Sequence, residues 1–393
     1  MILALVAAAA LQSQDAAGFW ERDALLGDWG GVRRSLADRG LTTTLEFTGE
    51  FLGTVHGGVE RDTGADLLLD WVVEADLDRM LGWTGGSAKL NPLWLAGDGV
   101  SDSLGDLTQV SNITGRGGVR VFELWLQQAL FDGAISLRAG ILAADQEFAI
   151  TGQGQLYYNS VFGGPVFLTA NLAWPIYPVG ALGARVRVEP APGLSVQAAV
   201  YDGNPGTEDA NRSGLRVRLH SDEGVFTIAE IGWTSGGDCP GTVKAGGFHH
   251  SGGGTSSSSG LGGGYALYEQ KIYREGPLPG ALDAFVRVGF VPEEKARVAF
   301  GADAGLNFTG LLPGRPLDVL GVGFIYARIS RTFALAQPEP ATWGYESVIE
   351  TTYRLAVTPA WSFQPCVQVV LHPGGSSRVP DATVVGVRVD LLF

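Results

Sequence analysis

Apolar and polar side chains alternate one for one through most of this chain, and a period of two marks strands whose two faces meet different surroundings. Leu45, Phe47, Gly49 and Phe51 oppose Thr44, Glu46, Thr48 and Glu50. Leu67, Leu69, Trp71, Val73 and Ala75 oppose Asp66, Asp70, Glu74 and Asp76. The pattern returns at 122–127, 136–141, 182–189, 215–220, 282–288, 300–308, 349–355, 361–369 and 385–393. About 17 strands of ~8–12 residues can be drawn, near the ~10 residues of a tilted membrane-crossing strand. Short turns join some of them, at 132–133, 190–193, 222–224 and 358–360. Long connections rich in Gly, Ser and Pro join others, at 142–180, 202–214, 249–264, 330–345 and 372–381. Short turns on one rim and long loops on the other describe an up-and-down barrel. The alternation of long and short breaks once, between 234 and 265. One strand there is expected to be false, leaving about 16, an even number as such barrels require. The expected fold is all-β: a 16-stranded antiparallel up-and-down transmembrane β-barrel, with a short N-terminal helix and an inward-folded constriction loop.

Composition removes the rivals. A soluble sandwich with this many strands needs two or more domains, yet no linker or shift in composition divides the chain. Trp83, Trp94, Trp233, Tyr273 and Trp361 fall near strand ends, where interfacial girdles form. No apolar run approaches the length of a membrane helix, about 18–20 residues. A net charge of −14 leaves no basic excess for nucleic acid. A hydrophobic share of 45 % excludes disorder. Two cysteines, Cys239 and Cys366, are too few for a disulfide scaffold or a four-cysteine zinc site. No metal site, cofactor or catalytic residue is expected, although His249-His250 lies beside a Gly/Ser run in an expected loop.

Residues 1–16 read as a signal peptide: Met1–Leu11 is apolar and small residues follow. A positive n-region is missing, which points to a start downstream of the true one. Residues 17–40 are expected to form a periplasmic N-terminal segment, with a short helix that stops at Gly40, and 41–393 to form the barrel.

Several stretches then carry a resemblance. They are Leu26-Gly27-Asp28-Trp29-Gly30-Gly31 with Leu36-Ala37-Asp38-Arg39-Gly40, Phe122-Glu123-Leu124-Trp125, and Asn159-Ser160-Val161-Phe162-Gly163. Tyr201-Asp202-Gly203-Asn204-Pro205-Gly206, Phe300-Gly301-Ala302-Asp303-Ala304-Gly305-Leu306-Asn307 and Leu371-His372-Pro373-Gly374-Gly375 follow in order. In sequence and spacing these resemble the carbohydrate-selective porins of the OprB family, from about Leu25 to Phe393. The resemblance implies an outer-membrane barrel of a Gram-negative bacterium that admits monosaccharides by passive diffusion, often as a homotrimer. It also implies an assembly signal in the last strand, ending at Phe393 and read by the barrel-assembly machinery. The chain departs from the family at Ile141 and Ala143, where members usually carry Lys and Asp. That departure bears on the local loop anchor and the sugar preference, and leaves the barrel untouched.

A 16-stranded barrel leaves an aqueous channel, so selectivity requires a constriction. The 142–180 segment is the candidate for a loop folded into the lumen. On the strands, the polar parity offers Glu46, Glu50, Asp70, Glu74, Glu123, Trp125, Arg138, Arg185, Arg187, Arg216, Arg218, Arg287, Asp303, Glu350, Arg354 and Arg388 as pore-lining candidates. The loop adds Asp145 and Glu147. Carboxylates and guanidinium groups bond sugar hydroxyls in pairs, and binding must stay weak enough for release. Permeating sugars and outer-membrane lipid are the expected partners, with no nucleic acid. The competing readings are a general diffusion porin, a plugged sugar-binding barrel, and a soluble secreted β-protein acting on glycans.

Overall fold

A computed structural model describes residues 18–217, 223–252, 260–274, 280–337 and 344–393. The expected signal peptide lies outside the described residues. A short helix, α1 (Val32–Asp38), precedes the strands. The strands are β1 (Leu41–His56), β2 (Thr63–Asp76), β3 (Gly86–Gly97), β4 (Gly118–Leu130), β5 (Ile135–Leu142), β6 (Ala181–Ala191), β7 (Leu194–Asp202) and β8 (Val225–Thr234). They continue as β9 (Gly241–His250), β10 (Leu261–Arg274), β11 (Ala281–Phe290), β12 (Val298–Thr309), β13 (Val319–Ile329), β14 (Tyr345–Thr358), β15 (Trp361–Leu371) and β16 (Ala382–Leu392). Each pairs antiparallel with its neighbours in sequence, and β1 pairs with β16 to close the barrel. The seam runs from Glu46 opposite Leu392 to His56 opposite Thr383.

The faces are inverted relative to a water-soluble protein. Large apolar side chains look outward and stay exposed, with Phe51 at 53 % and Trp71 at 48 %. Charged ones look inward and are buried, among them Glu50, Arg185, Glu230, Arg287, Glu350 and Arg388. An exposed apolar belt around a polar interior suits only a barrel with hydrocarbon outside. The start of β1 and the end of β16 lie at one rim, where connections such as 131–134, 192–193 and 359–360 are short. The longer connections rise from the far rim. Leu25 N–H donates to Leu392 and Phe393 N–H to the Leu45 carbonyl, and Arg33 donates to the Phe393 carbonyl, so the N-terminal segment is tied across the seam.

Three expectations need correction. The false strand lies at 215–217, not between 234 and 265: β9 and β10 are real, and the described residues between β7 and β8, 203–217 and 223–224, form no strand. Leu215 and Val217 alternate there by chance, in a segment held by Arg216 N–H on Asn211 and by an Arg216–Glu223 ion pair (2.9 Å). Phe122, grouped with outward Leu124, is buried and points inward. A register shift between Asn91 and Pro92 adds a residue on β4, and such a bulge re-aims a side chain. His249 and His250 sit on β9 rather than in a loop, and His250 is buried between the backbones of Gly203 and Gly252.

Candidate functional site

Two far-rim connections, not one, fold into the lumen: 143–180 as expected, and 98–117 as well. The wall is carved to receive the first. On β11–β13 the inward positions include Gly289, Gly301, Gly305, Gly321 and Gly323. A Cβ on Gly289 would sit 2.4 Å from the Phe167 ring, and one on Gly323 would sit 2.6 Å from Phe162. Any side chain there would push the loop away. This is one structural use of the glycines, which make up 58 of the 393 residues. Tyr157 and Phe162 stack at 4.4 Å over the trough.

Charged wall residues hold the loops through their backbones. Glu350 accepts from Tyr158 N–H (2.7 Å) and Asn159 N–H (3.0 Å). Glu230 accepts from Ala149 N–H and Glu269 from Gly152 N–H. Glu346 gathers the N–H groups of Leu107, Thr108 and Gly374. Buried N–H groups in irregular segments need such acceptors, and charge-assisted bonds are the strong ones. Glu147 returns the favour from the loop side, bridging Arg138 (2.9 Å) and Arg185 (2.5 Å). The Arg138 guanidinium lies 3.7 Å from the centre of the Trp125 ring. The two loops also grip each other: Asn112 Nδ2 donates to the Tyr157 carbonyl and Tyr177 Oη to the Ile113 carbonyl.

Space remains along β16 and β1–β4, and in its lower part it reaches round to β12–β15 at Asn307, Val319, Arg354 and Gln364. A cavity of about 660 Å³ opens toward the rim where β1 starts and β16 ends, and one of about 770 Å³ toward the far rim. Asn112, Asp145, Gly163 and Tyr177 border both, so they form the waist between them. The Asp145 carboxyl is pushed up to about 7, chiefly by burial; the Tyr177 N–H on its Oδ2 (3.0 Å) opposes the shift and nearby Glu123 adds to it.

The predicted site residues divide by place. Glu46, Asp70, Asp145, Arg354 and Arg388 line the lower cavity, together with Lys89 and Asp390. Arg388 also donates to Glu50 and to the side-chain Oδ1 of Asn112, and covers Tyr158. Glu123 is paired with Lys89 at 2.7 Å. Glu74 lies nearer the rim, in a recess shared with Trp125, and Arg187 pairs with Glu189. Trp125, Arg185, Arg287, Asp303 and Glu350 are packed behind or against the loop and border neither cavity of the passage. Arg216 is in the 203–224 loop rather than on a strand, and Arg218 lies outside the described residues. Reading charges alone missed the neutral amides, because an amide on a strand or in a loop carries no signal of its own. Asn91, Asn112, Gln146, Gln153 and Gln155 all border the lower cavity. Another concavity, of about 1010 Å³, opens on the outward faces of β4–β9 among Leu126, Leu137, Val186 and Val200, apart from the passage.

Comparison with known proteins places this geometry. The family model described as carbohydrate-selective porin, OprB family, matches residues 66–393. Porin B of Pseudomonas aeruginosa is 24 % identical over 94 % of this chain and 91 % of its own. The fold superimposes on Pseudomonas putida OprB in its high-pH structure with a TM-score of 0.86, at 21 % identity over 96 % of this chain and all of that one. A Rhodopseudomonas blastica porin mutant shares the architecture more loosely, with a TM-score of 0.52 at 11 % identity over 90 % of this chain and all of that one.

Proposed function

The chain belongs to the carbohydrate-selective porins of the OprB family, and on that premise we propose that its passage admits neutral sugars, monosaccharides first, by passive diffusion across the outer membrane of a Gram-negative bacterium. The observation that carries this reading is the pair of cavities meeting at one waist. Glu46, Asp70 and Asp390 share the lower cavity with Lys89, Arg354 and Arg388, so charges of both signs line one space. A mixed field opposes neither sign strongly and leaves a neutral solute unhindered. The amides of Asn91, Asn112, Gln146, Gln153 and Gln155 can donate to and accept from hydroxyl groups without fixed charge. Many weak, exchangeable bonds suit a solute that must leave as readily as it enters.

The cleaved leader before residue 17, the periplasmic placement of 17–40, homotrimer assembly, and recognition of the strand ending in Phe393 by the barrel-assembly machinery belong to the same reading. Crosslinking and native mass in detergent test the trimer.

Liposome swelling with the refolded mature chain tests the function. Glucose, arabinose, sucrose and a size-matched amino acid are compared. Faster swelling in the monosaccharides is expected. Equal rates for size-matched solutes would make it a general diffusion porin. No swelling from a folded barrel would make it a plugged binding protein.

A further inference from the structure

Arg287 points into the interior of the barrel, yet it is 0 % exposed. Its guanidinium donates to both oxygens of Asp303 on the next strand, at 3.0 and 3.1 Å. Its other donors go to the 143–180 loop: Nη1 to the Ala149 carbonyl (2.5 Å), and Nη2 to those of Val161 (2.6 Å) and Phe162 (3.2 Å). Two bends of the loop, far apart in sequence, therefore converge on one side chain. Two residues further along both strands, Gly289 pairs with Gly301, and there Phe167 and Val166 of the same loop press against the bare backbone. Arg287 and Asp303 border neither cavity of the passage.

We propose that Arg287 is the positioning residue that sets the width of the passage, by clamping both bends of the 143–180 loop onto β11 and β12 and so away from the wall of β16 and β1–β4. Only a guanidinium offers enough donors, in a fixed fork, to serve a carboxylate and three carbonyls together. Asp303 orients the fork and cancels its charge. Without the fork, the loop carbonyls are left buried and unbonded, and the loop lifts from its seat toward water. The inference rests on the porin reading, since a width matters only where solute passes.

The test uses the whole refolded chain with Arg287→Met, and with Arg287→Met combined with Asp303→Leu so that no lone buried charge remains. Folding is read from the heat-modifiable band. Two quantities follow: single-channel conductance, and the ratio of swelling rates in glucose and raffinose. In the folded variants conductance is expected to change by about twofold or more, and the glucose-to-raffinose ratio to shift by a similar factor, because pore width governs both. The reversal potential in a salt gradient is expected to stay put, since the pair adds no charge to the passage. Folded variants with native conductance and native size ratio would overturn the proposal. So would a shifted reversal potential at unchanged size ratio, which would make Arg287 a channel-facing charge. Failure of both variants to fold would also overturn it, by making the pair a requirement of the wall. If the unaltered chain swells in no sugar, the porin reading fails instead, and that control separates the two.

Discussion

Asp145 gives the waist a charge that depends on pH. With its carboxyl pushed up to about 7 by burial, the folded protein holds a proton there that an ordinary aspartate would lose near pH 4. Ionisation then runs from about one tenth at pH 6 to about nine tenths at pH 8. A unit charge about 4 Å from a passing ion in water is worth about 1 kcal/mol, or about fivefold in ion occupancy. Cation preference should therefore rise with pH through this window, and the zero-current potential in a KCl gradient should move with it. Asp145→Asn removes the proton while keeping the Tyr177 N–H contact on a carbonyl oxygen. Its potential should sit near the acid-side value of the native chain at every pH. The assay is a planar bilayer with asymmetric KCl, stepped from pH 6 to 8. A native slope that survives unchanged in Asp145→Asn would refute the reasoning, because the titrating group would lie elsewhere.

Other outcomes follow from the loops and the seam. Gly323→Leu drives a branched side chain into Phe162 and Tyr157, with a cost of about 1–3 kcal/mol from overpacking. It should leave a folded barrel with altered glucose-to-sucrose swelling. Asp106, half-buried in the 98–117 loop, is held well above the usual carboxylate range by desolvation, with Glu346 adding to the effect. The fold thus favours its protonated form, and the stability tied to it falls as pH rises from about 4 toward that raised value. Asp106→Asn should raise the temperature at which the heat-modifiable band is lost at pH 7.5, with the gain vanishing at acid pH. Removing Phe393 deletes its N–H bond to Leu45 and the carbonyl that Arg33 holds, and quantitative band-shift gels should show less assembled barrel.

What could be read in advance tracks the physics of each feature. A strand crossing between hydrocarbon and water must alternate, so β1, β2, β6, β12 and β16 were plain from side chains one residue apart. Leu215–Val217 shows the limit: a few alternating residues in a loop look the same until Asn211 and Glu223 are known to hold Arg216 between them. The inward 98–117 loop was invisible because Glu346, which holds Leu107 and Thr108, stands more than 200 residues away in sequence. The same distance hid the division of labour among charges. Arg287 and Glu350 share the inward parity with Arg354, and only the packed loop sends the first two to structural work and leaves the third facing solvent. Phe122 was misjudged by one bulge.

The seam between β1 and β16 carries a consequence for how such a chain comes to exist. β1 emerges early in synthesis, and the partner for one of its edges is made of residues 382–392, which emerge last. Until then, a nearly complete sheet presents two open rows of backbone donors and acceptors, and open edges recruit strands from other molecules. In hydrocarbon each unmet group is costly, so a chain halted before β16 gains little from the strands it has already paired. Closure is the step with the longest sequence separation in the molecule, and such contacts are slow to form by search. The two edges stay open for as long as the final strand is missing, so the pairing of that one strand ends the exposure of all the others.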